Sequence, residues 1–280
     1  MKKILTICAA LMTAALIFTG CKWDTNTTPG VETIPNGFVE ITGVTLTGSE
    51  TWTPSSSVLN SAMTIPTLWM CDHEVTQAEY EQYCTYGGSY APGYDESFPD
   101  GDNYPAYCVS WYDALVYCNK LSIAKGLTPC YTINGSTNPS KWGNIPSSDD
   151  SNWDNVTCNF DANGYRLPTQ AEWEYAARGG ESYDYSGSST IGDVAWYEKN
   201  SSRTVHEVKT KASNLYGLYD MSGNVYEWVW DQRENSALYH CVRGGNYNTS
   251  SDCCKVTYIN NYENERRGSI FGFRVVRTVK

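Results

Sequence analysis

Nine cysteines lie beyond position 21, together with three histidines, His73, His206 and His240, and these are the side chains with the softest and most versatile chemistry in the chain. Their spacing argues against a metal or redox centre built from them: the histidines are far apart and no Cys-x-x-Cys pair occurs. An odd number of body cysteines leaves at least one unpaired or intermolecular, and Cys130 with Cys158 could staple the polar stretch between them. The chemistry that stands out is recognition. Residues 246–271, NYNTSSDCCKVTYINNYENERRGSIF, are almost all Asn, Ser, Thr, Tyr, Cys, Asp, Arg and Gly. Tyr supplies contact area at low entropic cost and Asn, Ser and Gly supply adaptable hydrogen bonding, which is the composition of a binding face. The alternative is an ordinary polar loop. With no sustained period of 2 or 3.6, the segment is expected to run over the surface between two strands.

Such a face needs a frame. Three helices are signalled by their caps: Thr76-Gln77-Ala78-Glu79, Ser110-Trp111-Tyr112-Asp113 and Thr169-Gln170-Ala171-Glu172 each place a hydroxyl on an orphan amide and a carboxylate at the positive helix end. The second is expected to stop at Gly126 and the third at Gly179-Gly180. Trp111, Trp173 and Tyr175 read as core aromatics. Phe38–Ile41 and Phe271–Val279 alternate like strands and could pair, joining the two ends of the domain. Residues 128–163 look like a long irregular insertion. The expected class is α+β with much irregular structure.

The start of the chain reads as a targeting signal. Met1-Lys2-Lys3 precedes a mostly apolar run from Ile4 to Phe18, too short to cross a bilayer, and then Thr19-Gly20-Cys21. A small residue before Cys21 resembles a bacterial lipobox, which predicts cleavage after residue 20 and acylation of Cys21; a plain cleaved signal or an uncleaved anchor is the other reading. Residues 22–37 are polar with Pro and Gly and read as a tether, of r.m.s. span roughly 22 Å. The remaining body, 38–280, suffices for one large domain. Losing Lys2 and Lys3 takes the net charge from −11 to −13. Neither counterion release nor polybasic attraction is then available, so nucleic acid and anionic membrane faces are excluded as partners. The expected setting is the cell envelope, lipid-anchored at the outer membrane surface, as a monomer meeting a protein or glycan ligand.

Three blocks, GYRLPTQAEWEYAARGG (164–180), NLYGLYDMSGNVYEW (214–228) and RGG…GFRVVR (243–277), supported by EVTQAEYEQYC and VSWYDALVYCNKL, resemble the formylglycine-generating-enzyme domain, a variant of the C-type lectin fold. The resemblance spans about residues 50–279. It implies two main helices, small twisted sheets and many loops. Enzymes of this family oxidise a substrate cysteine with two copper-binding cysteines, four and nine residues after the second Gly of the Gly-Gly pair. Those positions are Thr249 and Cys254 here, and Thr cannot replace a thiolate toward a soft metal. Cys253, adjacent to Cys254, cannot reproduce the spacing. The resemblance therefore implies a lost oxidase and no copper. The family's calcium loop maps onto Asp220, Gly223, Val225 and Glu227, a set of hard oxygen donors that would hold structural Ca²⁺; a Gly-Asn turn with Glu227 in a salt bridge is the alternative. The second calcium loop is interrupted by Trp196.

Within the family the chain is more similar still to the variable proteins of diversity-generating retroelements, whose C-terminal RGG…GFR window is rewritten at the adenines of Asn codons. Residues reachable in this way occupy Asn248, Thr249, Ser250, Asp252, Cys253, Tyr258, Ile259, Asn260, Asn261, Tyr262, Asn264, Arg267, Ser269 and Phe271, whereas Lys255, Glu263 and Glu265 are not reachable. The resemblance implies a non-catalytic, surface-displayed binding protein. Tyr247, Tyr258 and Tyr262 are expected as aromatic anchors, with Asn248, Asn260, Asn261 and Arg267 giving polar specificity. The competing functions are a copper-dependent oxidase using Cys254 and a glycan-binding envelope lipoprotein.

Overall fold

The computed structural model describes residues 32–85, 99–234 and 236–279. The expected leader, Cys21 and most of the expected tether lie outside the described residues. The body, Ile34–Lys280, is one unit.

In chain order the strands are β1 (Phe38–Ile41), β2 (Val44–Thr47), β3 (Ala62–Ile65), β4 (Leu68–Cys71), β5 (Tyr131–Thr132), β6 (Thr157–Cys158), β7 (Tyr165–Arg166), β8 (Tyr226–Arg233), β9 (Ser236–Arg243), β10 (Asn260–Glu263), β11 (Phe271–Gly272) and β12 (Val276–Thr278). The helices are α1 (Gln77–Glu81), α2 (Trp111–Ala124), α3 (Ser151–Asp154), α4 (Gln170–Arg178) and α5 (Ile191–Val194). Few helices, two four-stranded sheets and long irregular connections make this an α+β, C-type lectin-like fold.

One sheet runs β1-β4-β12-β7 and is antiparallel throughout. The two ends of the domain do meet in it, but they do not pair with each other as expected. β4 lies between them, and its four residues, LWMC, are all buried, as in a central strand covered on both faces. The second sheet runs β10-β9-β8-β11, centred on the long β8–β9 hairpin, with β11 parallel to β8.

All three capping boxes form. Thr76, Ser110 and Thr169 accept from the amides of Glu79, Asp113 and Glu172, whose carboxylates accept from the cap amides in return. α4 ends at Gly179 in the left-handed region, φ +58°, and a side chain there would collide with Asn214 at 2.9 Å. α2 is buried almost all round, so it lies inside the core against Tyr226, Trp228, Phe271 and Phe273. α4 sets Trp173, Ala176 and Ala177 against Leu68, Met70 and Val276 of one sheet and Val229 and Cys241 of the other. Tyr175 is half-buried at the edge of this cluster. The stretch 128–163 is less irregular than expected: β5 pairs with β6, and Trp142 and Trp153 anchor it in the core. The Cys130–Cys158 bridge that the sequence left open is not formed; Cys130 is buried and Cys158 half-buried, close to Cys118, and burial pushes the Cys158 and Cys118 thiols up.

Four buried ion pairs, centred on three glutamates, hold the elements together. Arg166 on β7 meets Glu172 on α4 through two bonds of 2.7 Å. Glu174 holds Arg178 at 2.7 Å and Arg243 at 2.8 Å. Glu227 on β8 holds Arg274 at 2.6 and 2.7 Å. Breaking such a pair from one side leaves an unpaired interior charge, at a cost of about 3–5 kcal/mol.

Candidate functional site

At the end of β9, Arg243 is stacked over Trp173 at 5.0 Å and donates to Glu174 and the carbonyl of Val256. The chain then turns through Gly244 and Gly245, φ +88° and +75°. Glycine is required at Gly245, since a Cβ there would lie 2.7 Å from the Cys254 sulfur. Asn246 to Thr249 close a tight turn: the Thr249 amide and hydroxyl both donate to the Asn246 carbonyl, at 3.1 and 2.9 Å, and the Asn246 amide donates back to the Thr249 hydroxyl. A 3₁₀ turn, Ser251–Cys254, brings the Cys254 thiol to 3.8 Å from the Thr249 hydroxyl. The two positions of the family's cysteine pair thus do face each other, with a hydroxyl where one sulfur would be. Burial pushes the Cys254 thiol up to about 12, which makes it a poor nucleophile at neutral pH.

The rest of the segment divides into an outer and an inner set. Asn248 and Asp252 are exposed; Thr249, Ser250, Cys253, Tyr258, Ile259, Asn260, Asn261, Tyr262 and Ser269 are half-buried. Tyr262 leans against Tyr226 and Phe271, and the Asn260 amide donates to its hydroxyl at 3.2 Å. Tyr258 lies near both Tyr226 and the Cys253 thiol. Hydroxyl, amide and thiol groups therefore converge around three phenol rings.

Four positions expected to face a ligand are corrected. Tyr247 is buried among Tyr107, Val205 and Val225, its hydroxyl within 2.8 Å of Ser269 Oγ. Asn264 is fully buried, donating to Asp154 and to the carbonyl of Ala237 and bonding His240 Nδ1 at 2.6 Å. Phe271 is β11 itself, stacked on Trp228 at 5.2 Å. Arg267 grips the Asp113 carboxylate at 2.7 and 3.1 Å and the carbonyl of Pro146, fastening the segment to the start of α2. All four hold the segment down. The segment is also less irregular than expected, because residues 260–263 form β10 against β9.

The frame reaches further than the sequence indicated. The Glu198 amide donates to the Thr249 carbonyl at 3.1 Å, the Ser201 hydroxyl to the Tyr247 carbonyl at 2.7 Å, and the Val256 amide to the Asp184 carbonyl at 2.8 Å. These residues come from polar loops some fifty to seventy positions away, and no local pattern marks them.

The calcium expectation does not fit the residues present. Both Glu227 oxygens are taken, by the Arg274 guanidinium and by the Trp173 indole at 2.7 Å, and a guanidinium held so closely repels a second cation. Among the described residues no cluster of three or more His, Cys, Asp or Glu could hold a metal ion. Asp220, Gly223, Val225 and Glu227 are a structural knot instead. The Gly223 amide donates to the Gly244 carbonyl at 2.7 Å, and the amide of Val225 and the side chain of Asn224 donate to the buried Glu74. Burial, then the neighbouring Asp220 and Glu227 carboxylates, push Glu74 well up; burial chiefly pushes Asp220 up to about 6.

Similar proteins carry the same frame. The Sulfatase-modifying factor enzyme 1-like domain matches residues 19–279. A protein named chaperone protein LppX from Paenibacillus barcinonensis is 35% identical over 251 residues, 81% of this chain and 85% of that protein. Among solved structures, Treponema denticola variable protein 1 superposes with a TM-score of 0.74 at 32% identity, over 86% of this chain and 95% of that one. CarF superposes with a TM-score of 0.71 at 25% identity, over 89% of this chain and all of that one. By fold, motif order and the glycine turn at 244–245, the chain belongs to the Sulfatase-modifying factor enzyme 1-like domain family, in its formylglycine-generating-enzyme, C-type lectin-like form.

Proposed function

We propose that the protein is a non-catalytic binding module, displayed at the cell envelope through a lipid on Cys21. It meets a protein or glycan ligand with the outer residues of 246–271, and those residues are the ones diversified by a retroelement. The observation that carries this reading is the separation of roles within one segment. Tyr247, Asn264, Arg267 and Phe271 tie the backbone down, while Asn248 and Asp252 are exposed and Tyr258, Asn260 and Tyr262 are half-buried with an edge to solvent. Substitutions at outward positions on a tied backbone change contacts without removing core, and surface changes of that kind usually stay within about ±0.5 kcal/mol. Thr249 opposite a protonated Cys254 supports binding over oxidation, and the similarity to Treponema denticola variable protein 1 supports the same reading.

The test is a library randomised at Asn248, Asp252, Tyr258, Asn260 and Tyr262 and displayed on yeast. Most members are expected to keep the parent melting transition, and selection against unrelated target proteins is expected to yield distinct binders. General unfolding of the library, or conversion of a cysteine peptide to an aldehyde by the purified parent with copper and oxygen, would overturn the reading.

A further inference from the structure

A cleft of about 420 Å³ opens between the β2–β3 hairpin and the first turn of α4, sharing no residue with the segment 246–271. One wall is Met63, Thr64, Ile65 and Pro66, the other Thr169 and Ala171; Arg166, Glu172 and Thr278 line it as well, with Phe160 and Asp161 alongside. This volume lies within the range of small-molecule sites.

Three observations define what would fit. Phe160 is 41% exposed, although a Phe ring ordinarily contributes to the core. It is held in that position by the Arg166 guanidinium 5.0 Å from its centroid and by the edge of Trp230 at 6.2 Å. The charges of Arg166 and Glu172 cancel each other through two bonds of 2.7 Å, so the cleft has no unmatched buried charge to offer an ionic ligand. Hydroxyls and a carboxylate surround the apolar patch: Thr64, Thr169 and Thr278, with Asp161 exposed. Thr278 Oγ1 already accepts from Arg166 at 3.0 Å, which leaves its own proton to donate.

From this arrangement we infer a second binding site, for an uncharged carbohydrate of one or two rings. The apolar face of a sugar ring lies on Phe160, and its hydroxyls bond the Asp161 carboxylate and the threonine hydroxyls. An aromatic surface beside a carboxylate and several hydroxyls matches a ligand that is apolar on its faces and hydroxylated at its edges.

The experiment titrates the intact chain with neutral sugars (glucose, N-acetylglucosamine and cellobiose) and with anionic glucuronic acid, read by saturation-transfer NMR. At least one neutral sugar is expected to saturate with Kd around 1 mM, and glucuronic acid is not. Phe160→Ala is expected to weaken that binding roughly tenfold, equivalent to about 1.4 kcal/mol, with an unchanged thermal melt. Asp161→Ala, at an exposed position, is expected to weaken it severalfold and carries the test should Phe160→Ala fail to fold. The double variant Tyr258→Ala/Tyr262→Ala is expected to bind sugar normally, which separates this site from the proposed ligand face. No saturation by any neutral sugar, preference for the anionic one, or full affinity in both the Phe160 and Asp161 variants would overturn the proposal.

Discussion

The hydroxyl of Thr249 stands 3.8 Å from the sulfur of Cys254, so an oxygen in place of sulfur and one added methyl separate this chain from a dithiol site. Thr249→Cys is expected to create a pair of facing thiols that takes up Cu(I), since two thiolates suit a soft ion and one buried, protonated thiol does not. Competition with a coloured Cu(I) chelator measures this: the variant should hold about one equivalent that the parent does not, and equal copper retention by the two would refute it. The loss of the second sulfur was legible from its spacing after Gly245, because a family position fixes residue type regardless of context. The inward facing of Tyr247, Asn264 and Phe271 was not. Their composition suits a binding loop, and only Ser269, His240 with Asp154, and Trp228, brought close by chain closure, make interior positions of them. Arg267 misled for the same reason, its partner Asp113 lying 154 residues upstream.

Helix starts were readable because a cap is written within four residues. In α4 the cap also serves tertiary structure: Glu172 closes the box with Thr169 and neutralises Arg166. Thr169→Ala removes the hydroxyl that accepts from the Glu172 amide, and a loss of about 1 kcal/mol, or roughly 2–4 °C in melting temperature, is expected by calorimetry. A loss below about 0.3 kcal/mol would show that the ion pair alone fixes the helix start. Strands were less legible. β10 is Asn-Asn-Tyr-Glu, poor in β-branched residues, and is drawn into the sheet by the ladder that β9 offers it. β1 was correctly read as a strand, but the single strand expected over Phe271–Val279 is two short ones, β11 and β12, in different sheets, and neither pairs with β1.

Over the whole molecule, buried titratable groups set opposing pH dependences. Asp220 is pushed up to about 6 from an ordinary 3.8, so the folded state holds its proton more tightly than the unfolded chain does. The stability this provides is complete below about pH 4 and is lost as pH rises through 6. Asp220→Asn keeps an acceptor for the Lys209 amide and tolerates the left-handed φ of +57°, so it is expected to be more stable than the parent by on the order of 1–3 kcal/mol at pH 7.5, with the difference closing near pH 4. Denaturant titrations at pH 4.5 and 7.5 decide it, and an advantage independent of pH would show that Asp220 is ionised without penalty. His240, stacked on Trp111 at 3.5 Å and lowered by burial to about 3, acts in the other direction: it favours the fold above about pH 6.5 and weakens it progressively toward pH 3.

The place of β12 between β4 and β7 governs how the protein can be made. Residues 276–278 zip to partners more than a hundred and two hundred positions upstream, so an emerging polypeptide cannot close its first sheet until synthesis has delivered β12. Every earlier length leaves one edge of Leu68-Trp69-Met70-Cys71 open, and a nonsense change that removes β12 is expected to cost the native fold as surely as one near the middle.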